Sequence, residues 1–452
     1  MRELSHGRRQ PDHFAFLTAA LIGAGMMPHG AAAQEVSPDI AALRQEVGAL
    51  KAELARSAQR IEQLEAALGR LAAPTPSQTA PSQTTSSQAA PAAAALPPRA
   101  GQATAAAEPA SPLPSRLTVG GDLRVRYESN FGDKDARNRD RGVLRARLRA
   151  AYAVNDWLTI GGQLVTGDPD DPNSSDTTLS GFFDDLDVSL DQAYARMTFG
   201  DLTVTAGKIP QPFVRTELVW DGDVNPQGVA ATYRWPLAGD SSLRATAMYA
   251  LVDEAAAGRD SSMIGAQIAA DFRPAPQWRL ELAAAYYDYR LGSTAGADAG
   301  DFRGNVVIDG AYVSDFDLLD VIGAVTYDGF GARWPVRMVV DYVHNVGARV
   351  PGDSGLGVDL FVGRSLHAGD FRLGYGYAEA GVDAVLAAFS QDNTSIATNY
   401  RQHTLLVDYM VTDNVALNVT FYRYKPKNGA FAGGNDPHDW LNRLRVNLLA
   451  NF

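Results

Sequence analysis

Between Val143 and Gly167 apolar and polar residues alternate with the period of a β-strand. Leu144, Ala146, Leu148, Ala150, Tyr152 and Val154 share one face, and Arg145, Arg147 and Arg149 share the other, because successive strand side chains point to opposite sides. Asn155-Asp156 then reads as a tight turn, after which Leu158, Ile160, Gly162 and Leu164 alternate with Thr159, Gly161 and Gln163. In a soluble sandwich a second sheet would cover the apolar face. Here the alternation recurs many times and the polar face stays charged, which predicts a barrel with its apolar outside in lipid and its charged side inside.

About sixteen such strands follow residue 116, at 117–129, 143–154, 157–167, 190–199, 202–208, 228–235, 243–251, 263–272, 278–289, 317–327, 335–344, 357–364, 370–378, 400–411, 415–424 and 440–452. Connections after even-numbered strands are mostly short, such as 155–156, 200–201 and 412–414. Those after odd-numbered strands are mostly long and polar, such as 130–142, 168–189, 209–227, 290–316, 379–399 and 425–439. Outer-membrane barrels have short periplasmic turns and longer outer loops, so the long loops are expected outside the cell. Trp157, Phe199, Trp235, Phe272, Trp278 and Trp440 mark strand ends, as interfacial girdles require.

The chain before the barrel reads as three pieces. Arg2, Arg8 and Arg9, an apolar run from Phe14 to Met27 and Ala31-Ala32-Ala33 predict a secretory signal over 1–33. Within 34–72, Ile40, Leu43, Val47, Leu50, Leu54, Ser57, Ile61, Leu64, Leu68 and Leu71 keep a 3-4 spacing that predicts a short coiled coil. Glu46 with Lys51 and Arg60 with Glu65 suit a parallel arrangement, and the core residue types lean toward two strands. Residues 73–115 are almost entirely Ala, Pro, Ser, Gln and Thr, a linker unable to bury a core.

Composition changes this picture little. The 452 residues carry a formal net charge of -12 and a mean hydropathy of -0.17, and barrels hide their apolar surface in alternation. The mature chain lacks the roughly 18 or more consecutive apolar residues of a spanning helix. Cysteine is absent, which removes disulfides, thiol nucleophiles and thiolate metal sites.

Residues 142–235 resemble a Gram-negative outer-membrane porin family. The stretches that carry the resemblance are Arg145-Ala-Arg-Leu-Arg, Asn155-Asp-Trp-Leu-Thr-Ile-Gly, Leu190-Asp-Gln-Ala-Tyr-Ala-Arg and Gly207-Lys-Ile-Pro-Gln-Pro-Phe, followed by Leu218-Val-Trp-Asp-Gly-Asp and Gly228-Val-Ala. The last strand, ending in Phe452, is similar to the signal that outer-membrane assembly machinery reads. The resemblance implies a general-diffusion porin and a homo-oligomer, a trimer like other sixteen-stranded porins. Strand rhythm alone carries it beyond strand six.

Closing strand sixteen on strand one would bring Arg443 and Arg445 beside Arg124, Arg126, Arg145, Arg147 and Arg149. Seven guanidiniums facing lipid would be costly, so they are expected in the lumen, as an anion-attracting wall or as a ladder neutralised by carboxylates. The resemblance implies that the loop 209–227, with Arg215, Glu217, Asp221 and Asp223 and with Lys208 nearby, is the counterpart of the loop that folds into the pore of general porins, and so the candidate for a constriction facing that wall. The acidic loop 168–176 lacks the glycine and distal glutamate of an EF-hand and reads by default as a solvated outer loop. His344, His367, His403 and His438 show no ligand spacing, and no serine-centred nucleophile elbow appears. These features predict an all-β transmembrane barrel passing small hydrophilic solutes, with no enzyme activity, cofactor, metal or nucleic-acid partner. Two rivals are an anion- or phosphate-selective pore, and an envelope tether whose coil contacts the cell wall and whose barrel only anchors.

Overall fold

The computed structural model describes residues 116–452 apart from 133–137, 181–182, 184, 257, 298 and 303. The expected leader (1–33), coiled coil (34–72) and linker (73–115) lie outside the described residues. Sixteen strands of seven or more residues build the fold. They are β1 (Leu117–Phe131), β2 (Arg139–Ala153), β3 (Leu158–Thr166), β4 (Val188–Phe199), β5 (Leu202–Lys208), β6 (Gln227–Pro236), β7 (Ser242–Asp253) and β8 (Ser261–Ala275). The second half comprises β9 (Trp278–Arg290), β10 (Phe316–Tyr327), β11 (Val336–Asn345), β12 (Ser354–Gly363), β13 (Phe371–Ala380), β14 (Tyr400–Met410), β15 (Val415–Pro426) and β16 (Leu441–Asn451). Every strand expected from the alternation is present. The main shifts are at loop-side ends, where β2 starts at Arg139 and β12 at Ser354.

Each strand pairs antiparallel with the next, and β16 pairs with β1 from Asp122↔Asn451 to Phe131↔Asn442. The sheet is therefore closed and has no free edge, as a sheet in lipid must be. Across the seam, the Gly121 N–H donates to the Phe452 carbonyl at 2.9 Å and the Phe452 N–H donates back at 3.1 Å. A Cβ on Gly121 would lie 2.2 Å from the Arg147 carbonyl and 2.5 Å from the Phe452 ring, so only glycine fits there.

Alternation sorts the side chains as predicted. On β1, Leu117, Val119, Leu123, Val125 and Tyr127 are exposed on the outside, while Asp122, Arg126 and Glu128 are buried inside. The short-turn end carries the aromatic girdle: Trp157 stacks on Phe199 at 5.7 Å, and Trp278 lies 4.6 Å from Tyr327. At the Asn155-Asp156 turn, the Asn155 side-chain oxygen accepts from the N–H groups of Trp157 (3.1 Å) and Leu158 (2.9 Å), which fixes the reversal locally. Helix among the described residues is confined to α1 (Ala299–Phe302) and the 3-10 turns Ala387–Phe389 and Gly429–Phe431.

Candidate functional site

The seven arginines singled out from the sequence converge on one inner wall, and each shares a carboxylate. Asp122, 2 % exposed, is held by Arg145 (3.0 Å), Arg147 (2.8 Å) and Arg149 (3.1 Å) from β2. Glu128, with no exposed surface, receives Arg445 at 2.7 Å, Arg141 at 2.6 Å and Arg443 at 3.7 Å. Arg124 and Arg126 bind Asp176, which arrives from the β3–β4 loop. Adding Asp223, eight guanidiniums share four carboxylates in this cluster, so the wall keeps an excess of positive charge. Asp122 shares the inward face of β1 with Arg124 and Arg126, two residues before Arg124. Glu128 and Arg141, at the next alternating positions, were not singled out.

The loop between β5 and β6 does fold into the barrel. Gly207, at φ +120°, starts the inward bend; a Cβ there would meet the Ala193 carbonyl at 2.3 Å. The loop then buries Ile209, Phe213, Leu218, Val219, Trp220 and Val224. Three anchors hold it. The Gln267 side chain on β8 exchanges hydrogen bonds with the Val214 backbone, 2.8 Å each way. The Thr216 hydroxyl donates to Asp341 on β11. Asp223 meets Arg147 at 3.0 Å and Arg145 at 3.8 Å. Arg215 braces the loop itself, donating to the Trp220 carbonyl at 3.0 Å and the Gly222 carbonyl at 3.4 Å. Lys208 donates to the Asn225 carbonyl at 3.3 Å.

Two further loops join it. The β3–β4 loop, expected as a solvated surface, instead turns inward: Asn173 and Ser175 are buried, and the Ser175 hydroxyl donates to Asp223 at 2.9 Å. Arginines on the wall draw its acidic residues in, a pull that the loop's own composition does not reveal. The β13–β14 loop also packs inside, burying Val382, Ala384, Val385, Leu386, Ala387 and Ala388. Its Asn393 side-chain oxygen accepts from Arg445 (3.0 Å) and Tyr422 (3.1 Å), and its amide donates to Glu217 at 3.4 Å. The apolar run from Ala384 to Phe389 was the available sequence signal, since six such residues in a row do not suit a water-exposed loop.

The loop carboxylates sit in opposed fields. Burial pushes Asp223 up, but Arg145 and Arg147 outweigh it and hold the carboxyl below its ordinary value. Asp176 behaves alike, with Arg124 and Arg126 overcoming burial. Asp221 goes the other way: burial, then Glu217 and Asp392, raise it well above the usual carboxylate range. Beside the in-folded loops lies a cavity of about 580 Å³, bounded by the arginine wall, Glu217, Asp221 and Asp223, and reaching Asp408 and Asn451. Among the described residues no group of three or more His, Asp or Glu could hold a metal ion.

A family model described as "Putative porin" matches residues 133–299, from the β1–β2 loop to the loop after β9. No curated protein is similar to the chain. Among solved structures, OprB of Pseudomonas putida in its high-pH form is similar at 14% identity and TM-score 0.51, covering 75% of this chain and 95% of its own. An anion-selective porin from Comamonas acidovorans matches at 14% identity and TM-score 0.46 over 74% of this chain and 99% of its own. A mutant of the Rh. blastica porin matches at 13% identity and TM-score 0.42 over 74% and 100%. At such identities the OprB likeness speaks for the barrel fold alone. The family match covers residues 133–299, and the closed sixteen-stranded barrel that contains them is consistent with an outer-membrane porin.

Proposed function

We propose that the barrel is a water-filled pore through which small hydrophilic solutes and ions diffuse passively across the outer membrane. The observation that carries this reading is the charged cavity beside the in-folded loops, which continues from the loop carboxylates to Asn451 near the short-turn rim. The constriction is formed by Arg215, Glu217, Asp221 and Asp223 against Arg124, Arg126, Arg145, Arg147, Arg149, Arg443 and Arg445. Each wall arginine already shares a carboxylate, so a dedicated anion- or phosphate-binding channel is not favoured.

Single-channel recording of the purified protein across a KCl gradient tests this. Stepwise, weakly saturating currents are expected, and the sign of the reversal potential shows whether the wall arginines or the loop carboxylates control the constriction. Silence from correctly folded protein would sink the pore and leave the tether as the better account.

The finer organisation belongs to the same reading. Residues 1–33 direct export, the coil at 34–72 and linker at 73–115 extend on the periplasmic side toward the cell wall, and Phe452 addresses the assembly machinery. Three barrels assemble as a trimer, which a mass measurement in detergent checks. Deleting 40–71 is expected to leave conductance intact.

A further inference from the structure

Outside the lumen, one part of the outer surface breaks the rule that lipid-facing positions are apolar. Across β13 to β16 the outward residues line up in rows, and Tyr375, Leu405, Phe421 and Leu444 form the last apolar one. The next row toward the long loops is Tyr377, His403 and Arg423, and the one beyond is Glu379, Arg401 and Lys425. The change from apolar to basic takes one step of the β repeat, roughly 7 Å.

Trp440 stands over these two rows. The Arg423 guanidinium carbon lies 5.4 Å from the centre of its ring and the Lys425 ammonium 5.1 Å. Glu379 is already shared by Arg401 at 3.2 Å and Lys427 at 3.1 Å. Among the described residues, Arg423 and Lys425 have no carboxylate partner. The same rim elsewhere is different: on β9 and β10, Asp288 and Asp317 face each other, and Arg290 pairs with Asp288 at 3.0 Å. The rim thus pairs its positive charge at β9 and leaves it unpaired at β15.

Cations held on an indole where an apolar band ends lie at headgroup depth, since Trp and Tyr settle at that level. Clustered basic residues there attract anionic headgroups, and a guanidinium beside an ammonium suits a phosphate, whose oxygens accept both. We propose that this rim of β13–β15 binds the phosphate of a phosphorylated outer-leaflet lipid. Arg423 and Lys425 contact the phosphate, Trp440 orders them, and the acyl chains lie along Leu405 and Phe421.

The test uses the full barrel in detergent, titrated with diphosphorylated lipid A and read by native mass spectrometry. The wild type is expected to prefer this lipid over the same lipid stripped of phosphate. R423Q/K425Q is expected to lose about twentyfold in affinity, and K425Q alone about fivefold. Neither side chain faces the lumen, so unchanged conductance reports that the variants fold. An undiminished preference in R423Q/K425Q overturns the proposal. Inorganic phosphate binding as tightly as the lipid would assign the site to free anion instead. Dissociation of the oligomer in R423Q/K425Q with lipid binding unchanged would make it a contact between copies.

Discussion

Trp220 and Phe389 stack inside the barrel, ring centroids 5.8 Å apart and planes 11° from parallel, although they belong to loops separated by eight strands. The Asp221 N–H donates to the Phe389 carbonyl at 2.8 Å, so backbone as well as ring ties the two loops together. On the proposed reading, the constriction is a joint between the β5–β6 and β13–β14 loops. Phe389→Ala removes one half of it, at a cost of about 3 kcal/mol. Single-channel conductance and current noise are both expected to rise. Wild-type conductance in this variant would show that the stack does not hold the constriction.

Glu128 carries the heaviest load of charge on the wall, and burial makes its loss expensive. Glu128→Gln preserves shape but leaves Arg141 and Arg445 without their counter-ion, at a cost of about 3 kcal/mol. Asp315→Asn removes the partner of Arg349 at 2.6 Å, where both side chains are more than 60 % exposed, and is expected to change stability by less than about 1 kcal/mol. Heat-modifiable electrophoresis of the two variants compares them directly.

The loop carboxylates give the pore a pH dependence of known sign. Asp223 is lowered in the folded protein, so it stabilises the inward loop above the unfolded value of about 3.9, and that contribution is lost as pH falls through the folded value. Asp221 is raised, so its contribution is present below the unfolded value and fades as pH rises through the folded one. Asp223→Asn is therefore expected to show at neutral pH the loosened conductance that the wild type reaches only in acid. Asp221→Asn is expected to extend the inward pose to higher pH. Identical conductance–pH curves for all three proteins would remove both assignments.

Thr216 fastens the loop to the wall opposite the arginines through Asp341. Thr216→Val keeps the shape and deletes the hydroxyl, leaving the buried Asp341 carboxyl short of a donor at a cost of about 1–3 kcal/mol. The expected result is a larger, noisier conductance with an intact barrel by circular dichroism.

The barrel was legible because lipid on one side and water on the other impose a two-residue period on every strand. The arginine wall followed from the same period: once Arg145 and Arg443 were on strands, closure brought them together and the cost of charge in lipid decided their side. The loops carry no such constraint. That 209–227 turns inward was expected from a resemblance, but its anchors Gln267, Asp341 and Phe389 come from strands and loops far away in the chain. The inward turn of Ser175 and Asp176 depends on arginines of β1 and β2, so no local pattern could announce it.

The separation of these anchors also sets an order of events. Thr216 and Asp341 are 125 residues apart, and Arg445 reaches Glu128 over 317. Contacts so distant in sequence cannot reward the chain until its ends have met. The β5–β6 loop finds its anchors only once β2, β8 and β11 stand around it, which makes the in-folded loops late to settle. Interactions that form after the rate-limiting step govern how fast a protein comes apart, not how fast it assembles. The lining of the constriction is therefore free to vary without slowing the making of the barrel around it.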